Sequence, residues 1–517
     1  MKKTLLIALA VAVVLVAIWF GTVSLQAPPQ YPFVQGDIEA HFDDHVPDYA
    51  ISKAGLIEDV DALVAHTQDL HADPYRIASQ AAFLAKAEEI KAQIDALEGD
   101  DISAHAAFYH LQELAVFLED GHTTLYPLNW EMSVESIFPL IMTPVEGSIF
   151  VKDVVGDQPV PERAEILAVN GLSIEQVMDE TMQYVPGTLP QLKQSRFAEF
   201  LSMFIQTYYD MPSPWEVTYR HDGVVATATV EGVSQDAYFE ATIPQRDYVE
   251  SEVVVNGTPI PVLEFVGFQY GEWEKFQGFI QDFFARHQDD PYLVIDVRHH
   301  YGGNGDWGYY VLSHLTAEPL QGYEEFSFIV SPANQQIIRY GFEDAYYEMG
   351  IPRFLWGLPL YKLVEQDDPM YWIGRGILES EPGTFYHARW EDTSSYWAGD
   401  TADRFQGQVF LITSGETFSA GGVFAALFEH NDLGTIVGRE TGGRVYLMSD
   451  YVPVVLPNSR LTYLVPTAKF IVSDENPDRG VMPDIPVALT AEDYANDVDR
   501  DMERVVELIE ADMAAAD

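Results

Sequence analysis

Residues 407–430 read GQVFLITSGETFSAGGVFAALFEH. QVFLIT is a short run of β-branched, aliphatic and aromatic residues, which is the composition of a strand buried on both faces. Ser414-Gly415-Glu416-Thr417 is a turn, and the small-residue stretch from Ser419 to about His430 reads as a helix. A buried strand passing straight into a helix is the repeating unit of a parallel sheet. The same unit recurs upstream. VLEFVGF (262–268) precedes the helical EKFQGFIQDFFARH (274–287), and YLVIDVR (292–298) precedes GGNGDWGYYVLSHL (302–315). TIVGRE (435–440) adds a strand downstream. The alternation predicts an α/β fold with a mixed sheet core of strand–helix units.

Outward from that core the pattern changes. DALVAHTQDLHADPYRIASQAAFLAKAEEIKAQIDAL (61–97) and SAHAAFYHLQELAVFLED (103–120) repeat apolar residues at three and four, which predicts an N-terminal helical domain over 27–130. Between 131 and 235 short strands dominate. AEILAVNGLSI turns at Asn170-Gly171, and WEVTYR and VVATATVE flank a hairpin at Asp222-Gly223, with the helical LPQLKQSRFAEFLSMFIQTYY before them. This stretch reads as a small α+β domain. The core then spans 236–500, with an aromatic-rich insertion at about 320–405 that either caps a cleft or packs between subdomains, and 501–517 is a C-terminal helix.

Lys2 and Lys3 precede an uncharged run from Thr4 to Leu25, and the next charge is Asp37. Residues 1–26 therefore read as a signal anchor or signal peptide, the uncleaved anchor being favoured because only Ala27, followed by Pro28 and Pro29, offers a cleavage site. Charge asymmetry then places the remainder on the periplasmic or extracellular side, membrane-anchored or secreted. The chain carries 28 basic and 81 acidic residues, a net charge of −53. Such a surface repels phosphate backbones and excludes nucleic acid as a partner, and it suits a salty medium that screens self-repulsion. There is no cysteine, so disulfides, thiolate catalysis and Cys-ligated zinc are excluded.

Three segments carry chemistry. Ser419 opens a helix, where free backbone N–H groups can stabilise an oxyanion and neighbouring glycines admit a carbonyl. Taken alone, a serine there is more often a helix cap, and Ser414 is a competing hydroxyl. Asp296-Val297-Arg298 ends a buried strand and leads to Gly302-Gly303 at the carboxyl edge of the sheet, where α/β folds bind ligands. Asp296 and Arg298 read as structural partners. His299 and His300 suggest a metal only weakly, because adjacent strand-end side chains diverge. No metal and no cofactor are expected. His122, after the helix stop Asp120-Gly121, is a loop histidine whose meaning depends on context.

Together these segments resemble the C-terminal-processing and tricorn-type serine peptidases. Asp296 to Gly303 is similar to the family's Asp-Leu-Arg-x-x-x-Gly-Gly run, and Phe418-Ser419-Ala420-Gly421 to its nucleophile segment. Val437 to Gly443 resembles the following strand and loop, and Gly480-Val481-Met482-Pro483-Asp484 the late Gly-Val-x-Pro-Asp motif. Asp120-Gly121-His122-Thr123 resembles the amino-terminal His motif of the tricorn-like branch, and Leu70 to Tyr75 the helical segment upstream of it. The resemblance spans most of 55–490, with the insertion poorly matched. It implies a ClpP/crotonase-like core, a PDZ-like or degenerate PDZ domain at 131–235, and hydrolysis of peptide or protein substrates through an acyl-enzyme. Some members pair the serine with a lysine 25 residues later. Arg444 stands there, and a guanidinium cannot serve as a base. The resemblance therefore implies the tricorn-like arrangement: Ser419 as nucleophile, His122 as general base, and Glu475 as the orienting acid, with Asp474 and Asp478 as rivals. Gly302, Gly303 and Ala420 would supply oxyanion amides. Gly121 occupies the place of an additional Ser in some members. Modules like this core also build the retinoid-binding protein of the photoreceptor matrix, so a catalytically silent hydrophobic-ligand carrier is the alternative from another class, and a small-molecule esterase shares the same site.

Overall fold

The structure is a computed structural model that describes residues 30–31, 50–126, 134–242, 247–268, 273–358, 360, 369–388, 404–473 and 476–516. The apolar segment at 1–26, Glu475 and Asp474 lie outside the described residues. Among those described, no helix is long and apolar enough to cross a membrane.

The chain opens with β1 (Ala50–Ser52), α1 (Lys53–Leu70), α2 (Gln80–Ala96), β2 (Asp101–Ser103), α3 (Ala104–Ala115) and the two-residue β3 (Thr124–Leu125). Each of the three helices is capped by a serine: Ser52, Ser79 and Ser103 accept the N–H three residues on. Leu56, Val60, Leu63, Phe83, Ile90 and Leu111, at helical spacing, are fully buried, each stabilising by about 1.5–3 kcal/mol.

The middle stretch contains β4 (Leu140–Val145), β5 (Ser148–Val154), β6 (Glu165–Val169), β7 (Leu172–Ser173), α4 (Ile174–Thr181), α5 (Pro190–Met203), β8 (Trp215–His221), β9 (Val224–Val230) and α6 (Gln235–Thr242). The sheet runs β4-β5-β6-β8-β9, with β7 paired to β6, and all these pairings are antiparallel. The Asp222-Gly223 hairpin is present, with His221 opposite Val224. Both turn residues have positive φ, as a two-residue hairpin requires. α5 packs on β4. The N-terminal helices and this sheet share one apolar core rather than two.

The central sheet has the order β10-β11-β12-β15-β16-β19. β10 (Tyr248–Val255) and β11 (Thr258–Phe265) pair antiparallel. β12 (Tyr292–Asp296), β15 (Gln408–Thr413), β16 (Thr435–Gly438) and β19 (Ile485–Pro486) continue from β11 in parallel. α7 (Trp273–His287) and α8 (Gly305–Leu312) form the crossover from β11 and the exit from β12. α11 (Ala420–His430) connects β15 to β16, and α12 (Ala491–Ala495) and α13 (Arg500–Ala516) end the chain. Alternate residues feed opposite faces, as the two-residue period of a strand demands. Leu263, Leu293, Ile295 and Leu411 pack with α7, α8 and α11. Val262, Val294, Phe410 and Ile412 pack with Val505 and Ile509 of α13. The predicted strand–helix units are therefore present as a three-layer α/β core.

The insertion contributes β13 (Glu325–Val330), α9 (Pro332–Glu348), α10 (Pro369–Glu379) and β14 (Thr384–His387). It joins a second sheet, ordered β14-β13-β18-β17, built on the long hairpin β17 (Tyr446–Val455) and β18 (Thr462–Ile471). Tyr463 and Leu464 of β18 pair with Leu125 and Thr124 of β3. Asp59 of α1, fully buried, accepts the N–H groups of Asn458 and Ser459 in the hairpin's turn. These contacts carry the end of the helical segment, and the loop before β3, to the edge of the central sheet.

Candidate active site

β15 and β12 end side by side, and their exit loops are laced together. Ser414 Oγ donates to the Arg298 carbonyl at 2.6 Å, and Thr417 Oγ1 to the Val297 carbonyl at 2.7 Å. The Phe418 N–H donates to the His300 carbonyl at 3.0 Å. Ser414 is thus a strap, not a free nucleophile. Ser419 follows at φ 53°, ψ −123°, and α11 begins only at Ala420. Its side chain makes no capping hydrogen bond, so the cap reading of this serine does not hold. A non-glycine residue at such angles costs roughly 1–3 kcal/mol and is kept where the turn must present its side chain.

His122 arrives from the far end of the chain. Its Nε2 lies 3.0 Å from Ser419 Oγ, across 297 residues of sequence. Asp120 builds the loop that holds it. One carboxylate oxygen accepts the His122 N–H at 2.7 Å and the Thr123 N–H at 2.6 Å. The other accepts His71 Nε2 at 2.6 Å and the Thr123 hydroxyl. His71 Nδ1 accepts the Asp73 N–H at 3.0 Å, which leaves its proton on Nε2, facing Asp120. Burial alone would raise the Asp120 pKa. The bonds from His71 and Thr123 outweigh it and hold the carboxyl at about 2.

The imidazole of His122 is stacked between two rings. Phe418 lies 4.7 Å away at 28°, and Tyr451 6.0 Å away at 26°. Burial, with a smaller push from Arg196, lowers the His122 pKa to about 4 against opposing contributions from Asp120 and the Met448 backbone. The ring is therefore neutral near pH 7. Its Nδ1 is buried and, the Met448 backbone aside, has no hydrogen-bond partner among the described residues. Of the acids expected to reach it, Asp478 instead pairs with Arg76 at 2.6 Å on the surface.

Gly302 abuts the nucleophile. A Cβ there would lie 2.8 Å from Ser419 Cβ and 3.2 Å from its Oγ, and φ is +130°. Its own N–H, however, donates to His300 Nδ1 at 3.2 Å, and its carbonyl accepts the Phe268 N–H at 2.8 Å. In a trans peptide the Gly303 N–H points opposite to that carbonyl. The Gly303 and Ala420 N–H groups make no hydrogen bonds among the described residues. Of the three expected amides, two are open and one is engaged. The histidine that engages it was considered in the sequence only as a weak metal ligand. His300 is fully buried, and burial depresses its pKa to about 3. His299 pairs with Glu416 at 2.7 Å. Among the described residues no group of three or more His, Asp or Glu side chains is placed to hold a metal.

Arg444 donates to the Glu119 carbonyl at 2.7 Å, so the residue at the lysine position supports the histidine loop. Beside Ser419 a small apolar recess is formed by Val423, Ala426, Val445, Leu447 and Val472. A larger cavity, about 480 Å³, lies behind the 414–416 turn among Arg163, Gln191, Arg298, His299 and Arg439, and neither Ser419 nor His122 lines it. Arg298 there grips Asp296 at 2.7 Å, Asp499 at 2.6 Å and Asp501 at 3.3 Å, as structural partners do. The sequence reading missed Asp120, His71, Phe418 and Tyr451. Asp120 and His71 stood inside quoted motifs, but nothing local shows that they meet.

Residues 260–487 match the model of peptidase family S41. No curated protein matches the chain. Among solved structures, mature CPAF complexed with lactacystin is 14% identical and superposes with a TM-score of 0.62 over 89% of this chain and 98% of that one. The photosystem II D1 C-terminal processing protease is 13% identical, with a TM-score of 0.42 over 88% and 97% of the two chains. The tricorn protease is 12% identical, with a TM-score of 0.40 over 89% of this chain and 37% of that chain.

Proposed function

We propose that this chain, a serine-type peptidase of family S41 by residues 260–487, hydrolyses peptide bonds through an acyl-enzyme formed on Ser419. The observation that carries the reading is the 3.0 Å approach of His122 Nε2 to Ser419 Oγ. As Oγ bonds to the substrate carbonyl carbon, its proton passes to Nε2, and the carbonyl oxygen takes the negative charge. The Gly303 and Ala420 amides, which make no hydrogen bond among the described residues, are the proposed donors for that oxyanion; Gly302, against Ser419, shapes the site by its lack of a side chain. Collapse breaks the C–N bond, and the imidazolium returns its proton to the leaving amine. Water, deprotonated by the same ring, then frees the acid and restores Ser419. By its motif Glu475 is the acid proposed to orient the imidazole. Neutral His122 is ready to accept a proton at pH 7, and the burial that lowers its pKa also excludes competing water.

The test is labelling by a fluorophosphonate. Wild type should label, and Ser419→Ala and His122→Ala should not. Equal labelling of wild type and Ser419→Ala would sink the assignment. Parallel peptide and ester substrates separate a peptidase from an esterase. From the motifs and the N-terminal run we further infer that the middle sheet is PDZ-like and receives peptide, and that the enzyme works outside the cytoplasm on a membrane anchor. Fractionation of cells with a tagged chain tests the location.

A further inference from the structure

α5 belongs to the middle stretch, yet its residues and those just before it touch both halves of the site. Thr188 donates to the Gly442 carbonyl at 2.7 Å, Gln191 to the Thr441 carbonyl at 3.0 Å, and Lys193 pairs with Glu119 at 3.3 Å. Arg196 goes deepest. Its Nη1 donates to the Gly121 carbonyl at 2.8 Å and to the Pro186 carbonyl at 3.1 Å. The guanidinium carbon sits 4.6 Å from the centroid of Phe418, whose ring stacks on His122. Arg196, Phe418, His122 and Tyr451 are therefore joined in sequence by ring contacts, and the residue preceding His122 is tied to the same guanidinium. Gly121 has no slack of its own: a Cβ there would meet Phe418 and Thr188 at 3.0 Å.

We propose that Arg196 is a positioning residue for the catalytic histidine. It pins the Gly121 carbonyl and, through Phe418, the plane of the imidazole, so that Nε2 stays on Ser419 while Nδ1, the Met448 backbone aside, has no hydrogen-bond partner among the described residues. The inference rests on the hydrolase reading and extends it, because it makes an element of the middle stretch part of the catalytic geometry. A guanidinium suits this position because Nη1 alone serves both carbonyls while the flat face of the group lies on an aromatic ring, a stacking that a tetrahedral ammonium lacks. Its charge also acts on the base. The charged groups facing His122 are Asp120 on its own loop and Arg196 on α5. Tyr451 faces it from β17, Glu119 lies further along its loop with Arg444 bonded to it from the segment before β17, and Glu199 and Asp120 face Arg196. Arg196 disfavours the imidazolium, so removing its charge moves the acid limb of activity to higher pH.

The experiment compares Arg196→Met and Arg196→Lys with wild type, in the full chain, by kcat and KM for a peptide substrate over pH 4–9. Thermal melts establish that each variant is folded. Misplacing the base should lower kcat about 10- to 100-fold in Arg196→Met with KM changed little. Its acid limb should move upward, and added guanidinium should restore part of kcat. Arg196→Lys should keep the wild-type acid limb while losing part of kcat. A folded Arg196→Met with wild-type kcat and an unmoved acid limb overturns the inference and leaves the hydrolase reading intact. A wild type without Ser419-dependent turnover overturns both. Should Arg196→Met fail to fold, Arg196→Lys decides alone, and unchanged kcat there counts against the role.

Discussion

Replacing Asp120 by Asn tests the histidine loop most directly. The carboxylate accepts four hydrogen bonds, two from backbone N–H groups and two from side chains. Asparagine can keep the two backbone bonds on its carbonyl oxygen. Its NH2 then faces His71 Nε2, whose proton is held there because Nδ1 is committed to the Asp73 N–H. Two donors meet in a buried site. Loss of a charge-assisted bond costs about 1.5–3 kcal/mol, and a buried unsatisfied donor about 1–3 kcal/mol. The pKa of about 2 gives an independent figure. A carboxyl at that value when folded and near 4 when unfolded contributes roughly 2–3 kcal/mol at neutral pH. The bond terms together give about 2.5–6 kcal/mol and the pKa figure falls at the low end, so the expected loss at pH 7 is about 3 kcal/mol. The sign follows from the depressed folded value: the contribution is complete above the unfolded pKa near 4 and disappears as pH falls through about 2. Urea unfolding of wild type and Asp120→Asn at a series of pH values measures it, and peptidase assays should show a large loss of kcat. Equal stability at pH 7, or a gap that stays constant from pH 5 down to pH 2, would refute the reasoning.

Gly302→Ala should lose both stability, because φ +130° strains an L residue, and about 100-fold or more of activity in the folded fraction, since the new Cβ would sit 2.8 Å from Ser419 Cβ beside the proposed oxyanion site; near-wild-type kcat/KM would place that site elsewhere. The acid limb of kcat/KM should titrate near pH 4, where His122 gains its proton, so activity persists well below the usual histidine range; a limb near 6.5 would mean a hydrated imidazole. Arg298→Met leaves Asp296 buried without its cation, while Asp501 keeps Arg439 at 3.1 Å, and should destabilise by about 3 kcal/mol, seen as a lowered melting temperature. Arg444→Lys should not create a Ser–Lys enzyme. The arginine holds the Glu119 carbonyl, so the substitution should lower kcat and leave His122→Ala inactive, as a double-mutant comparison would show.

Local pattern alone carried the core of this protein. Buried strands at 262–268, 292–298 and 408–413, each leading to a helix, sufficed for an α/β sheet with chemistry at its carboxyl edge, because burial on two faces leaves a continuous apolar run that no other element needs. The Asp222-Gly223 hairpin was legible for the same reason: few residues adopt two successive positive φ angles. The hairpin 446–471 was not, since Pro453 and Pro466 interrupt its pattern and its strands gain their meaning from pairing with β13 and β3. Ser419 and His122 could be nominated from motifs, but their 3.0 Å meeting was decided by β3 joining β18, a contact between residues more than three hundred positions apart. The same holds for His71 on Asp120, Arg196 on Gly121, and the use of the Gly302 amide by His300. Strand and helix periods are written in neighbouring side chains and can be read from them. A hydrogen bond between distant loops depends on how separately patterned layers stack, and that is settled only when all their apolar faces are buried at once.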